Sequence, residues 1–401
     1  FNTGVKPELY AATPPSECLR LMLSILANGW SKGTRLMYAD VSRAYFYAKA
    51  VRPVYVKLPE EDMEEGDENR CGRLKMSMYG TRDAALNWSL EYAATLLAAG
   101  YTQGKANPCL FHNGALGVSI MVHGDDFVAV GPEQHLAETR KTLEDKYKLK
   151  TQVLGRREEE MQEIRILNKV VRVEEDGIEL EADPRHSELV VRELGLVGAK
   201  VSPVPGSKES TAGNGGARTS TTDDVRTTDD SRRNDEAAKD IDSIQTAKNS
   251  AGDMSWEKLG GDSVGLDPNL EDPELDPEEA RTYRGVAARL NYMSPDRPDI
   301  AYAVKEAARD MSRPRQSSLR KLRKIGRYLI GKPRLVSKFK WQDAPDRVTT
   351  FTDSDWAGCG KTANSTSGGA VRMCEHVLKT YSKRQRVVAL SSVEAELYAM
   401  V

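Results

Sequence analysis

Cysteine is sparse in this chain and never paired. Cys18, Cys71, Cys109, Cys359 and Cys374 are scattered over 401 residues with no CxxC spacing, and the five histidines fall at no ligand spacing. That pattern argues against a zinc site or a disulfide framework and makes a reducing compartment the default expectation. No apolar run reaches the roughly 18 residues that would suggest a membrane span. The net charge is only -2, so any nucleic-acid binding has to come from local clusters. The first residues, FNTGVKPELY, contain no initiator Met and no signal-peptide layout. They read as a cut into a longer protein, as does ELYAMV at the other end, which stops inside a helical pattern.

The length allows two or three domains with real cores. A hydrophobic fraction of 39% and a charged fraction of 29% lean away from a fully packed chain, and part of it is expected to be unfolded. Residues 16–28 read as a helix, with Ser16 as N-cap, Leu19, Met22, Leu23 and Leu26 on one face and Gly29 as the stop. LMYADV is a buried-strand pattern ending near Asp40. Residues 83–99 read as a second helix with Leu86, Leu90, Ala93 and Leu97 on one stripe and Gly100 closing it. VSIMV and FVAVG flank the tight turn HGDD, which predicts a hairpin. A helix from Pro132 follows, with Leu136, Leu143 and Tyr147 inward. From about 203 to about 278 the chain is Ser/Thr/Gly/Asp-rich, acidic and Pro-broken. It is expected to be disordered, because it cannot bury enough apolar surface to offset its chain entropy. Order is expected to resume near Tyr283, with helices over 296–311 and 317–330 and a β-rich unit from VTTFTDSDWAG. No internal repeat is present.

Asp40 ends a strand and Asp125–Asp126 sit in a hairpin turn, remote in sequence. Carboxylates are the hard oxygen ligands that Mg²⁺ prefers, and nucleotidyl transfer needs two such ions roughly 4 Å apart. On spacing alone a pair of aspartates in a turn is also ordinary turn chemistry, and both readings stand. SRPRQSSLRKLRKIGRYLIGKPR (312–334) carries Arg313, Arg315, Arg320, Lys321, Arg323, Lys324, Arg327, Lys332 and Arg334 and no acid. Leu319, Leu322 and Leu329 supply its buried stripe, so the basic residues take the outer face. That face is either simply solvated or suited to a phosphate backbone.

Several motifs resemble the Pol polyprotein of copia-type LTR retrotransposons, reverse transcriptase followed by the start of a ribonuclease H domain. DVSRAYF (40–46) resembles the motif in which Asp is followed five residues later by an aromatic. HGDD (123–126) resembles the Tyr-X-Asp-Asp box. LKMSMYGTRDAALNW (74–88) is similar to the stretch between them, and VYVKLPEE (54–61) to a further segment. TYRGVAARLNYMSPDRPDIAYAV (282–304) resembles the connection. FTDSDWAG, STSGGAV and VALSSVEAELYA resemble the opening of the ribonuclease H domain. The matches run in the family's order.

The resemblance implies an α+β fold. A reverse-transcriptase palm, with antiparallel sheet, helices and incomplete fingers, would occupy 1–200. A disordered acidic insert would follow at 201–280, a helical connection at 281–345, and a truncated ribonuclease H-like αβ unit at 346–401. It implies RNA-directed DNA polymerase activity. Asp40, Asp125 and Asp126 would be the catalytic carboxylates and, with the Val41 carbonyl, the ligands of two Mg²⁺ ions, for which Mn²⁺ can substitute. Tyr45, Gly80 and Arg82 would line the nucleotide pocket, Tyr45 excluding a 2′-hydroxyl. Asp353 and Glu396 match ribonuclease H carboxylates; Glu394 reads instead as the capping partner of Ser391, and Asp355 as a turn residue. Partners would be RNA/DNA template–primer, deoxynucleoside triphosphates and other parts of the polyprotein, and no membrane. Arg320, Lys321, Arg323, Lys324 and Arg327 of the connection would touch the nucleic acid, as would His123. Copying would take place in cytoplasmic particles, with integration in the nucleus.

The chain departs from the family at His123-Gly124, where Tyr-Val is usual, and at Ala84-Ala85, where Ser-Pro is usual. The family's basic fingers strands would precede Phe1, and the later ribonuclease H carboxylates would follow Val401. An inactive remnant and a nucleic-acid-binding scaffold without catalysis are the alternative readings.

Overall fold

The structure, a computed structural model, describes residues 11–67, 69–206, 272–343, 345–360 and 362–401. The first stretch runs α1 (Ser16–Gly29), β1 (Thr34–Val41), β2 (Tyr55–Lys57), β3 (Cys71–Arg73), α2 (Ala84–Ala98), β4 (Thr102–Gln103), β5 (Leu110–Asn113), β6 (Val118–His123), β7 (Asp126–Pro132), α3 (Glu133–Glu144) and β8 (Leu149–Leu154). β2 and β3 pair with each other, and the other strands form one antiparallel sheet in the order β4-β5-β6-β7-β1-β8. The adjacent strands β7 and β1 bury both faces. Met37, Ala39, Val41, Phe127 and Ala129 face α2 and α3, where Trp88, Tyr92, Leu96, Leu136 and Leu143 meet them. Leu36, Val128 and Val130 face α1 through Leu19, Met22, Leu23 and Leu26. Side chains alternate across a strand, so β1 and β7 read as nearly continuous apolar runs until the aspartates.

Three local expectations shift. Ser16 is the first helical residue of α1; Pro15 occupies the N-cap and supplies no side-chain cap. The inward stripe of α2 is Ala84, Trp88, Tyr92 and Leu96, while Leu90 and Leu97 are exposed at 59% and 49%. This helix is apolar nearly all round, so the leucine spacing did not single out a face. The face is set by edge-to-face contacts of Trp88 and Tyr92 with Phe127. Order resumes earlier than Tyr283, as shown below.

No element was expected between Tyr147 and residue 203. The chain there forms β8, then β9 (Glu163–Ile166), β10 (Lys169–Glu174), β11 (Gly177–Ala182) and α4 (Arg185–Glu193). After the acidic stretch come α5 (Pro277–Met293), α6 (Pro298–Ala308), α7 (Gln316–Gly331) and β12 (Val336–Lys340). α5 starts at Asp-Pro-Glu-Glu because that is helix-start chemistry. Asp276 accepts from the Glu278 and Glu279 amides at 2.9 and 2.8 Å, and Pro277 needs no amide partner in the first turn. The expected helical connection over 281–345 therefore ends in a strand. β12 joins the sheet β12-β11-β10-β9, with Phe339 opposite Ile178. Phe339 is apolar enough to complete the core under α1 with Val171, Ile178 and Leu180. The helices α4–α7 pack on one another through Val190, Tyr283, Leu290, Ile300, Leu322 and Ile325.

The last stretch is β13 (Val348–Asp355), β14 (Thr366–Met373), β15 (His376–Arg384) and α8 (Ser392–Met400), with the strands in an antiparallel β13-β14-β15 sheet. The described parts of 1–209 and 273–401 belong to one compact unit. Residues 207–271, the bulk of the expected disordered insert, lie outside the described residues. Among the described residues no helix is long and apolar enough to cross a membrane.

Candidate active site

Antiparallel register brings the remote aspartates together. Asp40 is the cross-strand partner of Asp126, and His123 pairs with Asp126 from the other side. Directly opposed residues point to the same face of a sheet, so Asp40, His123 and Asp126 share one face. This is also the face of Leu36 and Val128, on which α1 packs. The turn itself is two residues, Gly124 and Asp125. Gly124 has a φ of 64°, a left-handed value that suits glycine at the first central position of such a turn. The Val41 amide donates to the Asp125 carbonyl at 2.9 Å. The Trp88 indole donates to the Gly124 carbonyl at 2.7 Å. The turn is thus fixed to the end of β1 and to α2.

The carboxylates sit in different surroundings. Asp125 is exposed and Asp126 half-buried. Burial raises the Asp126 carboxyl above the ordinary carboxylate range, and the charges of Asp125 and Asp40 raise it further. A hydrogen bond from the Tyr38 hydroxyl to Asp126 Oδ1 and the charge of His123 oppose the rise. The Tyr38 hydroxyl is itself pushed up by burial, by that hydrogen bond and by the three carboxylates. The Lys150 ammonium lies 3.9 Å from Asp40 Oδ2, brought there because Lys150 is the partner of Asp40 on β8. Among the described residues no three His, Cys, Asp or Glu side chains stand together as a ready metal cage. The donor chemistry nevertheless fits a hard cation. Two carboxylates are opposed on one face, a third is close enough to be felt electrostatically, and their mutual repulsion is what a divalent ion relieves.

Tyr45, in a short 3-10 turn after β1, stacks on Tyr79 with ring centroids 4.4 Å apart. Burial raises the Tyr79 hydroxyl, as does the charge of Asp125, so this aromatic pair borders the carboxylates. Gly80 follows directly, with a φ of 90° and open space where a Cβ would stand. Arg82 is exposed on the loop entering α2. Sequence reasoning missed Tyr38, Tyr79, Trp88 and Lys150. Tyr79 and Trp88 lay within the quoted 74–88 motif; Tyr38 and Lys150 are visible only once the register is known.

Two further groups were expected to act elsewhere. On α7, Arg320, Arg323, Lys324 and Arg327 follow i, i+3, i+4, i+7 spacing and form one stripe opposite the buried Leu319, Leu322, Ile325 and Leu329. Lys321 lies at the edge of that stripe, 3.4 Å from Asp310 Oδ2. On β13, Asp353 is exposed, and Glu396 of α8 accepts from the adjacent Ser354 amide at 3.2 Å. Asp355 accepts from the Thr366 amide. Ser391 caps α8 through the Glu394 amide at 3.1 Å, while Glu394 reaches back to the Leu390 amide at 2.7 Å.

The register thus holds a strand-end aspartate across from a hairpin aspartate pair. Residues 9–167 match the family described as reverse transcriptase (RNA-dependent DNA polymerase). The chain is 24% identical over 394 residues to the retrovirus-related Pol polyprotein from transposon RE1 of Arabidopsis thaliana, covering 97% of this chain and 22% of that protein. It is 23% identical over 394 residues to the counterpart from transposon RE2 of the same plant, again 97% of this chain and 22% of the relative. It is 22% identical over 402 residues to the Pol polyprotein from transposon TNT 1-94 of Nicotiana tabacum, covering 98% of this chain and 25% of the relative. Residues 9–167 thus carry a reverse-transcriptase family domain, and the chain is similar over most of its length to the Pol polyproteins of copia-type retrotransposons. It spans a quarter or less of the length of these relatives.

Proposed function

We propose that this chain performs RNA-directed DNA synthesis, transferring nucleotides onto a primer 3′-hydroxyl at Asp40, Asp125 and Asp126. The observation that carries the reading is the cross-strand pairing of Asp40 with Asp126 beside a turn held by Val41 and Trp88. Asp40 and Asp126 would hold Mg²⁺ or Mn²⁺ with help from Asp125; the Val41 carbonyl is the remaining candidate donor. When bound, such ions acidify the primer hydroxyl and neutralise the triphosphate.

The protein's own groups do the positioning. The Tyr45–Tyr79 stack gives an apolar floor for the sugar of the incoming nucleotide, and the open backbone at Gly80 lets a ligand approach closely. His123 would touch the primer end. Arg320, Arg323, Lys324 and Arg327 would neutralise phosphates of the template–primer. Asp353 and Glu396 are the candidate pair for cutting an RNA strand.

The test is extension of a primer on RNA and DNA templates with Mg²⁺, by the chain and by Asp126→Asn. Extension that Asp126→Asn abolishes supports the reading, and equal extension by both refutes it. A second reading, nucleic-acid binding without synthesis, is favoured by the acid-free stripe of α7. Salt-dependent hybrid binding with no extension by the parent chain would select it.

A further inference from the structure

The chain's own register places Tyr38 where it can govern the carboxylate pair. Tyr38 lies two residues before Asp40 on β1, so both side chains leave the same face. Its direct partner on β7 is Val128, which makes Asp126 its diagonal neighbour. Diagonal cross-strand neighbours are about 7–8 Å apart, within the reach of an aromatic side chain. The hydroxyl uses that reach and donates to Asp126 Oδ1. On its other side β1 is flanked by β8, whose Lys150 lies 3.9 Å from Asp40 Oδ2. Asp125 is fixed through its backbone by the Val41 amide, whereas Asp126 is fixed through its side chain.

We propose, resting on the metal-binding reading above, that Tyr38 is a positioning residue for the divalent cation. Its hydroxyl holds Asp126 Oδ1 and so fixes the rotamer of this carboxylate, leaving Oδ2 available beside Asp40. A half-buried carboxylate without that hydrogen bond would turn toward other donors and lose its alignment with Asp40. Hydrogen bonds that orient a metal-binding group are worth about 10–100-fold in metal affinity or activity. Tyr38 touches neither the primer nor the nucleotide in this proposal. Its effect passes through Asp126.

The test is direct Mn²⁺ binding by the whole chain, read by electron paramagnetic resonance of the free ion, with no nucleic acid present. Five proteins are compared: the parent, Tyr38→Phe, Asp126→Asn, the double variant of these two, and Asp40→Asn as a second ligand variant. Tyr38→Phe keeps the ring and its packing, and urea midpoints are read alongside. The expected result is weakening of about tenfold in Tyr38→Phe. The same change should have no further effect once Asp126→Asn is present, the signature of action through that residue. Unaltered or tighter binding by Tyr38→Phe, with binding still sensitive to Asp40→Asn and Asp126→Asn, overturns the role of Tyr38 and leaves the metal site standing. An equal loss in both backgrounds overturns it too. Binding indifferent to both aspartate variants overturns the metal reading itself, and the Tyr38 proposal with it.

Discussion

Trp88 joins the packing of α2 to the geometry of the turn. Its ring meets Tyr92, Phe127 and Tyr147 edge to face, and its N–H holds the Gly124 carbonyl at 2.7 Å. Trp88→Phe preserves an aromatic core residue but leaves that carbonyl without its donor. Gly124 is exposed, so water can replace the donor and the net loss is that of one ordinary hydrogen bond, about 0.5–1.5 kcal/mol; the urea midpoint should fall accordingly and primer extension should fall with it. An unchanged midpoint would mean that the indole does not hold the turn. At this scale the sequence offered candidates where chemistry is carried by a residue's type and its neighbours, as at Asp40, Asp125, Asp126 and Tyr45, and the register sets Asp40 opposite Asp126. The sequence was not legible where the role depends on what lies across a strand. Tyr38 and Lys150 have unremarkable local contexts, and only the pairing of β1 with β7 and β8 gives them a place beside the carboxylates.

Among elements, helix α1 is the common neighbour. Arg20 of α1 and Lys169 of β10 reach Asp296, in the 3-10 turn before α6, at 3.2 and 2.9 Å. All three side chains are largely buried, with exposures of 6%, 13% and 7%. Removing one member of a buried ion group strands the charge of the others. We predict that Asp296→Asn destabilises by about 3–5 kcal/mol in urea unfolding; a loss below 1 kcal/mol would show that the group is not a tie. His376 of β15 makes a comparable joint. Its ring lies 2.8 Å from Ser24 Oγ of α1 and 2.8 Å from the Lys340 carbonyl. Burial lowers its pKa below the ordinary histidine value, with the Lys340 hydrogen bond and Glu375 opposing.

A histidine kept neutral in the fold binds fewer protons there than when unfolded. Its contribution to stability is therefore intact above the unfolded value of about 6.5 and is lost as pH falls through the lower folded value. Between about 6.5 and that lower folded value, melting temperatures should drop more steeply in the parent than in His376→Gln; identical pH profiles would contradict this. The elements themselves were partly foreseen. The hairpin and the helices α1, α2, α3, α6 and α7 follow from apolar periodicity and turn residues. The sheet β9–β12 did not, because β12 follows α7 in sequence and its partner β11 precedes the acidic stretch. The start of α5 was hidden because Asp-Pro-Glu-Glu reads equally as acidic loop and as helix cap.

At the scale of the whole molecule, a net charge of -2 conceals a strongly local distribution. The stripe Arg320, Arg323, Lys324 and Arg327 lies on the outer face of α7, opposite its buried leucines. If it meets phosphates, replacing the four with alanine should reduce the slope of log K against log salt by about 3.6 for a duplex, at roughly 0.9 per contact. Filter binding of a hybrid duplex across a salt series measures this, and an unchanged slope would place the nucleic acid elsewhere. The order of the chain's segments was legible as a whole because its motifs follow one another as in the Pol relatives. How 1–209 and 273–401 share strands and cores in one unit was not.

The central claim is that the paired aspartates form a metal-dependent polymerase site. The most direct measurement is Mg²⁺-dependent extension of a labelled primer on an RNA template by the chain and by Asp40→Asn. Template-directed extension should require the cation and disappear in Asp40→Asn while hybrid binding is retained. Extension without added cation, extension unchanged in Asp40→Asn, or no extension by the parent chain on a hybrid it binds would contradict it.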